Sequence, residues 1–336
     1  MPTATVNKPQ SDGKWLALAP TMPLEDAARR VFEVRLGAVA RCLPPALKQA
    51  REDPEHVHQL RVATRRARAA LDIFEPCLPD KVNRKLKKHL RKLRRAAGAA
   101  RDWDVFLEGL HEQCEPPAGR KRGPGRKNTS SASRNWPGLD LLTGYALGQR
   151  AAAQVHLEAL AADHYAERFD GIVAATIDAV APADASVLGR LLDLARPLLF
   201  RLVGELATAA AGDLDDYGHL HQVRILGKRL RYAMEICADC FLPQFREQLY
   251  IAVEEMQEIL GAANDSHVAL GALDAVAAQL APLPAPGRRR VAPGIAAVRQ
   301  FHARRLPRQV TLFKEWWSRW ERDGGAAALA RLLRGI

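Results

Sequence analysis

Apolar residues recur at intervals of three and four along most of the chain, the spacing of amphipathic α-helices rather than of β-strands. Asp53 and Pro54 form an N-terminal helix signal, and Pro76 and Pro79 end the helix that follows. The helices predicted for the first half cover 24–50, 54–75, 81–97, a segment beginning at "RDWDVFLEGL" (101–110), and 139–180.

The second half shows the same order of helical segments, separated from the first near "APADAS" (181–186). The predicted helices there cover 187–211, 216–242, 244–261, 264–281 and 293–320, the last after a loop over 281–294. Residues 113–138 have no apolar period and are rich in Pro, Gly, Ser and basic residues, which predicts a disordered basic insertion.

An internal repeat relates the two halves. A shift of 163 positions aligns His58 with His221 and Arg61 with Arg224, and 16 of the 52 positions from 56 to 107 are then identical. We therefore predict an all-α protein built as two helical bundles side by side. The predicted domain covers 21–320, with halves at 21–181 and 186–320 after a flexible tail at 1–20.

The charge of the chain indicates a polyanionic partner. Its 336 residues carry a formal net charge of +12 and a pI near 9.8, with 48% hydrophobic residues for a core. Nucleic acid, an acidic membrane surface and an inorganic polyanion all fit this charge. A generally basic, arginine-rich proteome would also explain the net charge, but not the positions of the charges.

The repeated helix places its cations on one side. His58, Arg61, Arg65 and Arg68 fall within one arc of a helical wheel, and the second copy repeats this spacing. Cations three and four residues apart repel one another, so two such faces are best explained by a bound polyanion. Arginine suits phosphate because its planar guanidinium donates two parallel hydrogen bonds. A solvated outer face is the alternative.

The helix predicted after Pro79 in the first half is also basic, whereas its counterpart in the second half is acidic. Its cations include Arg84, Lys88, Arg91, Arg94, Arg95 and Arg101, with no acidic residue from 81 to 101. The aligned segment of the second half instead contains Glu247, Glu254, Glu255 and Glu258. Surfaces usually mix both signs of charge, so the site is predicted to be weighted toward the first half.

The motifs "VHQLRVATRRARAAL" with "GAARDWDV", and "LHQVRILGKRLRY" with "GAANDSHV", resemble those of the CHAD family, the conserved-histidine α-helical domain. The resemblance covers about 21–320. It implies two pseudo-symmetric four-helix bundles that bind inorganic polyphosphate without catalysis, and an association with polyphosphate granules. The ligand contacts it implies are His58, Arg61, Arg65, Arg66, Arg68, His221, Arg224, Lys228, Arg229 and Arg231. Asn264, which replaces the arginine found at Arg101, departs from the pattern.

Other functions have weaker support in the sequence. His56 and His58 point about 200° apart on a helix, so they cannot share a metal ion. Catalysis on phosphates would call for a phosphate loop, which the sequence lacks, or for paired carboxylates. The best such pair is Asp102 and Asp104, but His267 replaces Asp104 in the second repeat. Nonspecific nucleic-acid binding is the serious alternative, since the charge fits, although the basic faces lack interleaved aromatic residues.

The remaining features predict a cytoplasmic protein without a cofactor or membrane partner. Cys237 and Cys240 form a lone CxxC pair, which we interpret as small apolar core residues. The N-terminus has no apolar signal-peptide run, and no segment is long and apolar enough to span a bilayer.

Overall fold

The computed structural model describes residues 14–114, 137–162, 165–182 and 189–334. Within these ranges the chain forms ten α-helices and no strand longer than the isolated Pro23–Arg190 bridge, which confirms the all-α fold class. The helices are α1 (Leu24–Lys48), α2 (Glu55–Ile73), α3 (Asp80–Cys114), α4 (Pro137–Ala162), α5 (Tyr165–Asp178), α6 (Leu191–Ala210), α7 (Tyr217–Cys237), α8 (Ile251–Leu280), α9 (Ala285–Arg322) and α10 (Gly325–Arg334).

Helices that are consecutive in each half pack against each other. In the first half α1 contacts α2, α2 contacts α3 and α3 contacts α4; in the second, α6 contacts α7, α7 contacts α8 and α8 contacts α9. The halves meet where α2 packs on α7 and where the starts of α1 and α6 lie side by side. The amide of Leu191 donates to the carbonyl of Met22 at 2.9 Å in that second contact.

One apolar core runs through both halves. It joins buried residues of α1, α2 and α3, such as Phe32 and Leu60, to buried residues of α6, α7 and α8, such as Leu199. A second, smaller cluster includes Phe106 of α3, Leu142 of α4, Leu273 of α8 and Val298 of α9. The ends of the long helices therefore also hold the two halves together.

Three predicted helix boundaries are wrong. The segments at 81–97 and 101–110 form the single helix α3, and most of 244–281 forms the single helix α8 after a π-helical turn at Phe245–Tyr250. Gly98 and Gly261 sit among alanines, and one glycine costs a helix only about 1 kcal/mol. The predicted loop at 281–294 is helical from Ala285, because Pro286 occupies the first turn, where no amide donor is needed.

The chain before α1 contributes to the core. Leu16 and Leu18 are buried, and the ring of Trp15 lies 4.6 Å from that of Tyr250 in α8's preceding turn. Residues 14–20 of the predicted tail are therefore packed, and 1–13 lie outside the described residues. The predicted insertion at 113–138 also lies outside them, apart from its ends in α3 and α4. None of the described helices has the length and apolar content to cross a bilayer.

Candidate functional site

Side-chain caps fix the starts of the two helices that carry the repeated motif. The carboxylate of Asp53 accepts a hydrogen bond at 2.8 Å from the amide of Glu55, the first residue of α2, while Pro54 occupies the N-cap position. The carboxylate of Asp216 accepts from the amides of Gly218 and His219 at the start of α7. Each cap satisfies donors that the first turn leaves free and so sets where the helix begins.

α2, α3 and α7 enclose a groove of about 700 Å³, called here the interhelical groove. Seven arginines, one lysine and one histidine line it, together with a single carboxylate. Both copies of the repeated cationic face contribute to this one groove. Its lining residues are Arg61, Thr64, Arg65, Arg68, Ala69, Asp72, Leu90, Arg91, Arg94, His221, Arg224, Ile225, Lys228, Arg229 and Tyr232.

Arg61 is the anchored cation of the first half. Its guanidinium donates to the carbonyl of Gly98 at 2.7 Å and lies 3.3 Å from the carboxylate of Asp102. A Cβ at position 98 would lie only 3.3 Å from that guanidinium. The glycine therefore leaves room for Arg61 of α2 to reach the backbone of α3. Burial lowers the pKa of Arg61 despite the nearby Asp102. Arg61 thus combines a structural role with a place in the groove.

Arg65, Arg91 and Arg94 are the available cations of the first half. Within the described part of the chain, no carboxylate lies at ion-pair distance from them. Arg91 and Arg94 are exposed on α3, whereas Leu90 on the same turn is buried. Arg68 differs, because Asp72 holds its guanidinium at 3.0 Å.

Lys228 is the most perturbed cation of the second half. It occupies the repeat position of Arg65, and burial together with the charges of Arg224 and Arg65 lowers its pKa to about 6. Burial and the same cluster of cations also lower the pKa values of Arg224 and His221. The cations of the groove therefore repel one another, although Asp265 partly offsets this at Arg224 and Lys228, and an anion bound there would relieve the repulsion.

The groove is asymmetric, as the sequence predicts. None of its described lining residues comes from α8, the counterpart of α3. Glu254 of α8, aligned with Arg91, instead pairs with Lys14 at 3.0 Å and lies 3.7 Å from Arg231. Gly227 allows α7 to approach α8 closely, because a Cβ at this position would collide with the side-chain amide of Gln257.

The structure places Arg66 outside the groove. It projects from another side of α2, and its Nε donates to the fully buried carboxylate of Glu235 in α7 at 2.9 Å. Arg35 lies 3.6 Å from the same carboxylate, and the hydroxyl of Tyr250 donates to it at 3.1 Å. Arg66 therefore joins the two halves through a buried ion pair. Helical geometry carries a signal for this, since consecutive residues point about 100° apart.

Some of the sixteen predicted site residues line the groove, and the rest lie around it. Nine of the sixteen line it: Arg61, Arg65, Arg68, Arg91, Arg94, His221, Arg224, Lys228 and Arg229. His58 lies with Arg66 in a neighbouring cleft of about 210 Å³ between α1 and α2. Arg101 pairs with Glu108 at 2.8 Å, and Arg231 stacks over Tyr232. Arg84, Lys88 and Arg95 are exposed on other parts of α3.

Sequence reasoning missed the uncharged part of the groove. Tyr232, Ile225 and Thr64 line it between the cations. Tyr232 has no aromatic counterpart in the first repeat, where Ala69 stands, so the motif alone gives no sign of it. Ile225 and the ring of Tyr232 are apolar surfaces against which arginine stems can pack, and the hydroxyl of Thr64 donates to the carbonyl of Arg61.

The cysteines occupy core or partly covered positions. Cys77 and Cys237 are buried with free thiols, and burial raises the pKa of both. A thiol whose pKa is raised reacts slowly, because the thiolate is the nucleophile. Within 14–114, 137–162, 165–182 and 189–334, no three His, Cys, Asp or Glu side chains lie close enough to hold a metal ion.

Comparisons with known proteins agree with this architecture. Residues 30–274 match the family model of the CHAD domain. The fold is similar to the crystal structure of the CHAD domain from the plant Ricinus communis, with a TM-score of 0.62, 24% identity, and coverage of 90% of this chain and 93% of that one. PptA from Streptomyces chartreusis is similar too, with a TM-score of 0.58, 19% identity, and coverage of 88% and 99%. No curated protein matches the sequence.

Proposed function

Because the chain belongs to the CHAD domain family, we propose that it binds inorganic polyphosphate in the interhelical groove without catalysing a reaction. The observation that carries this proposal is the convergence of both cationic repeats on one groove with a single carboxylate. Binding there would place the protein at polyphosphate granules in the cytoplasm.

The chemistry of the groove fits a chain of phosphates. Guanidinium groups donate paired hydrogen bonds to phosphate oxygens, and the unpaired Arg65, Arg91 and Arg94 have no competing carboxylate in the described chain. A volume of about 700 Å³ suits a narrow, unbranched ligand, whereas a DNA duplex would have to lie over the rim. The groove's one aromatic residue, Tyr232, is only 6% exposed, which leaves no platform for base stacking.

A binding role fits the carboxylates better than a catalytic role does. Enzymes that transfer phosphoryl groups through metal ions hold those ions with sets of carboxylates. The groove's described lining has Asp72 alone, and Arg68 and Lys87 both pair with it. The residues present can therefore hold a polyanion, and they lack the donor set expected for metal-assisted hydrolysis.

Competition between polyanions tests the proposal. We would titrate the protein with long-chain polyphosphate, duplex DNA and single-stranded DNA at equal phosphate concentration and equal salt. We expect polyphosphate to bind more tightly than either DNA, and its affinity to fall steeply with salt as counterions are released. DNA binding that is equal or tighter per phosphate would contradict the proposal and favour a nucleic-acid function. Incubation with polyphosphate should release no orthophosphate.

A further inference from the structure

A second concentration of positive charge lies on α9, outside the interhelical groove. From 285 to 313 the sequence contains seven arginines and no acidic residue. Most of these arginines are exposed, while α9 packs on α8 and α4 through the opposite positions, such as Val298 and His302. Arg290, Arg304 and Arg308 fall on one side of an ideal helix, and we call these three residues the α9 arginine face.

Ion pairing does not account for this face. Arg299 pairs with Asp274, but across the described residues no carboxylate lies at ion-pair distance from the three arginines of the face. On α1, by contrast, the exposed charges pair: Arg29 lies 3.5 Å from Asp26 and Arg30 lies 3.8 Å from Glu33. The α9 arginine face thus departs from the usual surface of this protein.

The geometry of α9 aligns part of this charge. Arg304 and Arg308 are one turn apart, where like charges repel, and Arg290 precedes Arg308 by five turns of an ideal helix. About 27 Å of helix separates those last two residues. An extended ligand with many negative charges could contact both ends of this face, whereas a single small anion could not.

Charge, rather than apolar surface, is what the face offers. Phe301 is 39% exposed, but the guanidinium of Arg305 lies 5.8 Å from the centre of its ring and covers part of it. A face that inserts into a bilayer needs several free apolar side chains between its cations. A phosphate polyanion therefore fits this face better than a membrane does.

We propose that the α9 arginine face is a second binding surface for polyphosphate, and that the protein cross-links two chains by holding one in the groove and one on α9. This inference rests on the proposed function of the groove for the identity of the ligand. The lining of the groove comes from α2, α3 and α7, so the two surfaces use different residues. The convex α9 arginine face has no opposite wall, so it should bind more weakly than the groove.

Three triple variants test the inference. The α9 variant replaces Arg290, Arg304 and Arg308 by Gln. The groove variant replaces Arg65, Arg91 and Arg94 by Gln. The control variant removes the same charge elsewhere, by replacing the exposed Arg30, Lys48 and Arg51 by Gln. Calorimetry with size-selected short polyphosphate should show a strong and a weak site in the wild type and the control. The α9 variant should lose the weak site and keep the strong site's affinity within about twofold, because distant sites behave independently.

Light scattering with long-chain polyphosphate measures cross-linking directly. The wild type and the control should increase scattering at low ratios of polyphosphate to protein, and the α9 variant should not. Unchanged scattering by the α9 variant would overturn the inference. A wild-type protein with only one polyphosphate site would also overturn the inference. So would an α9 variant that loses binding only to DNA or to anionic phosphatidylglycerol vesicles. If the groove variant keeps the strong site, the proposed function fails instead, which separates the two failures.

Discussion

At the scale of single residues, Lys228 distinguishes the second repeat from the first. Its counterpart in the first repeat is Arg65. The pKa of Lys228 is lowered to about 6 by burial and by the adjacent Arg224 and Arg65. In the free protein near neutral pH, Lys228 is therefore mostly uncharged. A polyanion nearby would favour the charged form and raise this pKa, so binding should be coupled to the uptake of a proton.

We predict that the affinity for long-chain polyphosphate falls as pH rises from about 7 to about 9. Binding takes up a proton in this range, so a higher pH opposes it, by at most about tenfold per pH unit for one proton. The histidines of the site lose their protons at lower pH, since burial lowers the pKa values of His58 and His221. Calorimetry across this range measures the slope.

The variant Lys228→Arg is the matched control, because it restores the residue found at the same position of the first repeat. Its permanent charge should make the affinity nearly independent of pH over the same range. If Lys228→Arg and the wild type lose affinity equally, Lys228 is not the group that takes up the proton.

A second residue-scale prediction compares Arg66 with its repeat counterpart Arg229. Arg66→Met leaves the buried carboxylate of Glu235 short of a partner and should cost about 3–5 kcal/mol of unfolding free energy. Arg229 pairs with Glu205 on the surface, so Arg229→Met should cost no more than about 1 kcal/mol. Urea unfolding with fixed m-values measures both. Equal losses would show that burial of the ion pair does not matter.

At the scale of helices, α3 forms one wall of the groove, and its cations are not equivalent. Arg91 and Arg94 line the groove, whereas Arg84 and Lys88 lie on the same helix outside it. The double variant Arg91→Gln with Arg94→Gln should reduce the slope of log affinity against log salt for polyphosphate by about 2, one for each lost phosphate contact.

The matched control within α3 is Arg84→Gln with Lys88→Gln, which removes the same charge. Its salt slope should stay close to that of the wild type, because these side chains contact no ligand in the groove. Equal slopes for the two double variants would mean that α3 acts through its total charge, and the groove would then not be the site.

At the scale of the whole molecule, the two repeats form one groove rather than two separate sites. A long polyanion crossing both repeats makes its second contact intramolecularly, at a high effective concentration. The pair Arg65→Gln and Arg68→Gln should therefore weaken long-chain polyphosphate more than tripolyphosphate. The pair Arg224→Gln and Lys228→Gln should do the same to a smaller extent, since α8 adds no basic wall.

Calorimetry in the background of the α9 triple variant isolates the groove for this comparison. We expect one groove site per chain in every variant, with reduced affinity. Two independent sites would give a different result, namely half the stoichiometry at unchanged affinity for either pair of changes.

The helical fold, the repeat and the cationic side of α2 and α7 can all be predicted from the sequence. These follow from local periodicity, because the side of a helix on which a residue lies depends only on its spacing from its neighbours. Seven of the nine predicted residues that line the groove belong to these two helices. The asymmetry between α3 and α8 was likewise readable from Arg91 and Glu254.

The tertiary structure alone decided which faces meet. Periodicity cannot tell that α2 packs on α7, so only the structure shows one shared groove, and only it turns Arg66 toward Glu235. The continuity of α3 and α8 depended on packing that outweighs the cost of a glycine inside a helix. The pKa of Lys228 also depends on the tertiary structure, because it results from burial and from the charges of residues that are distant in sequence.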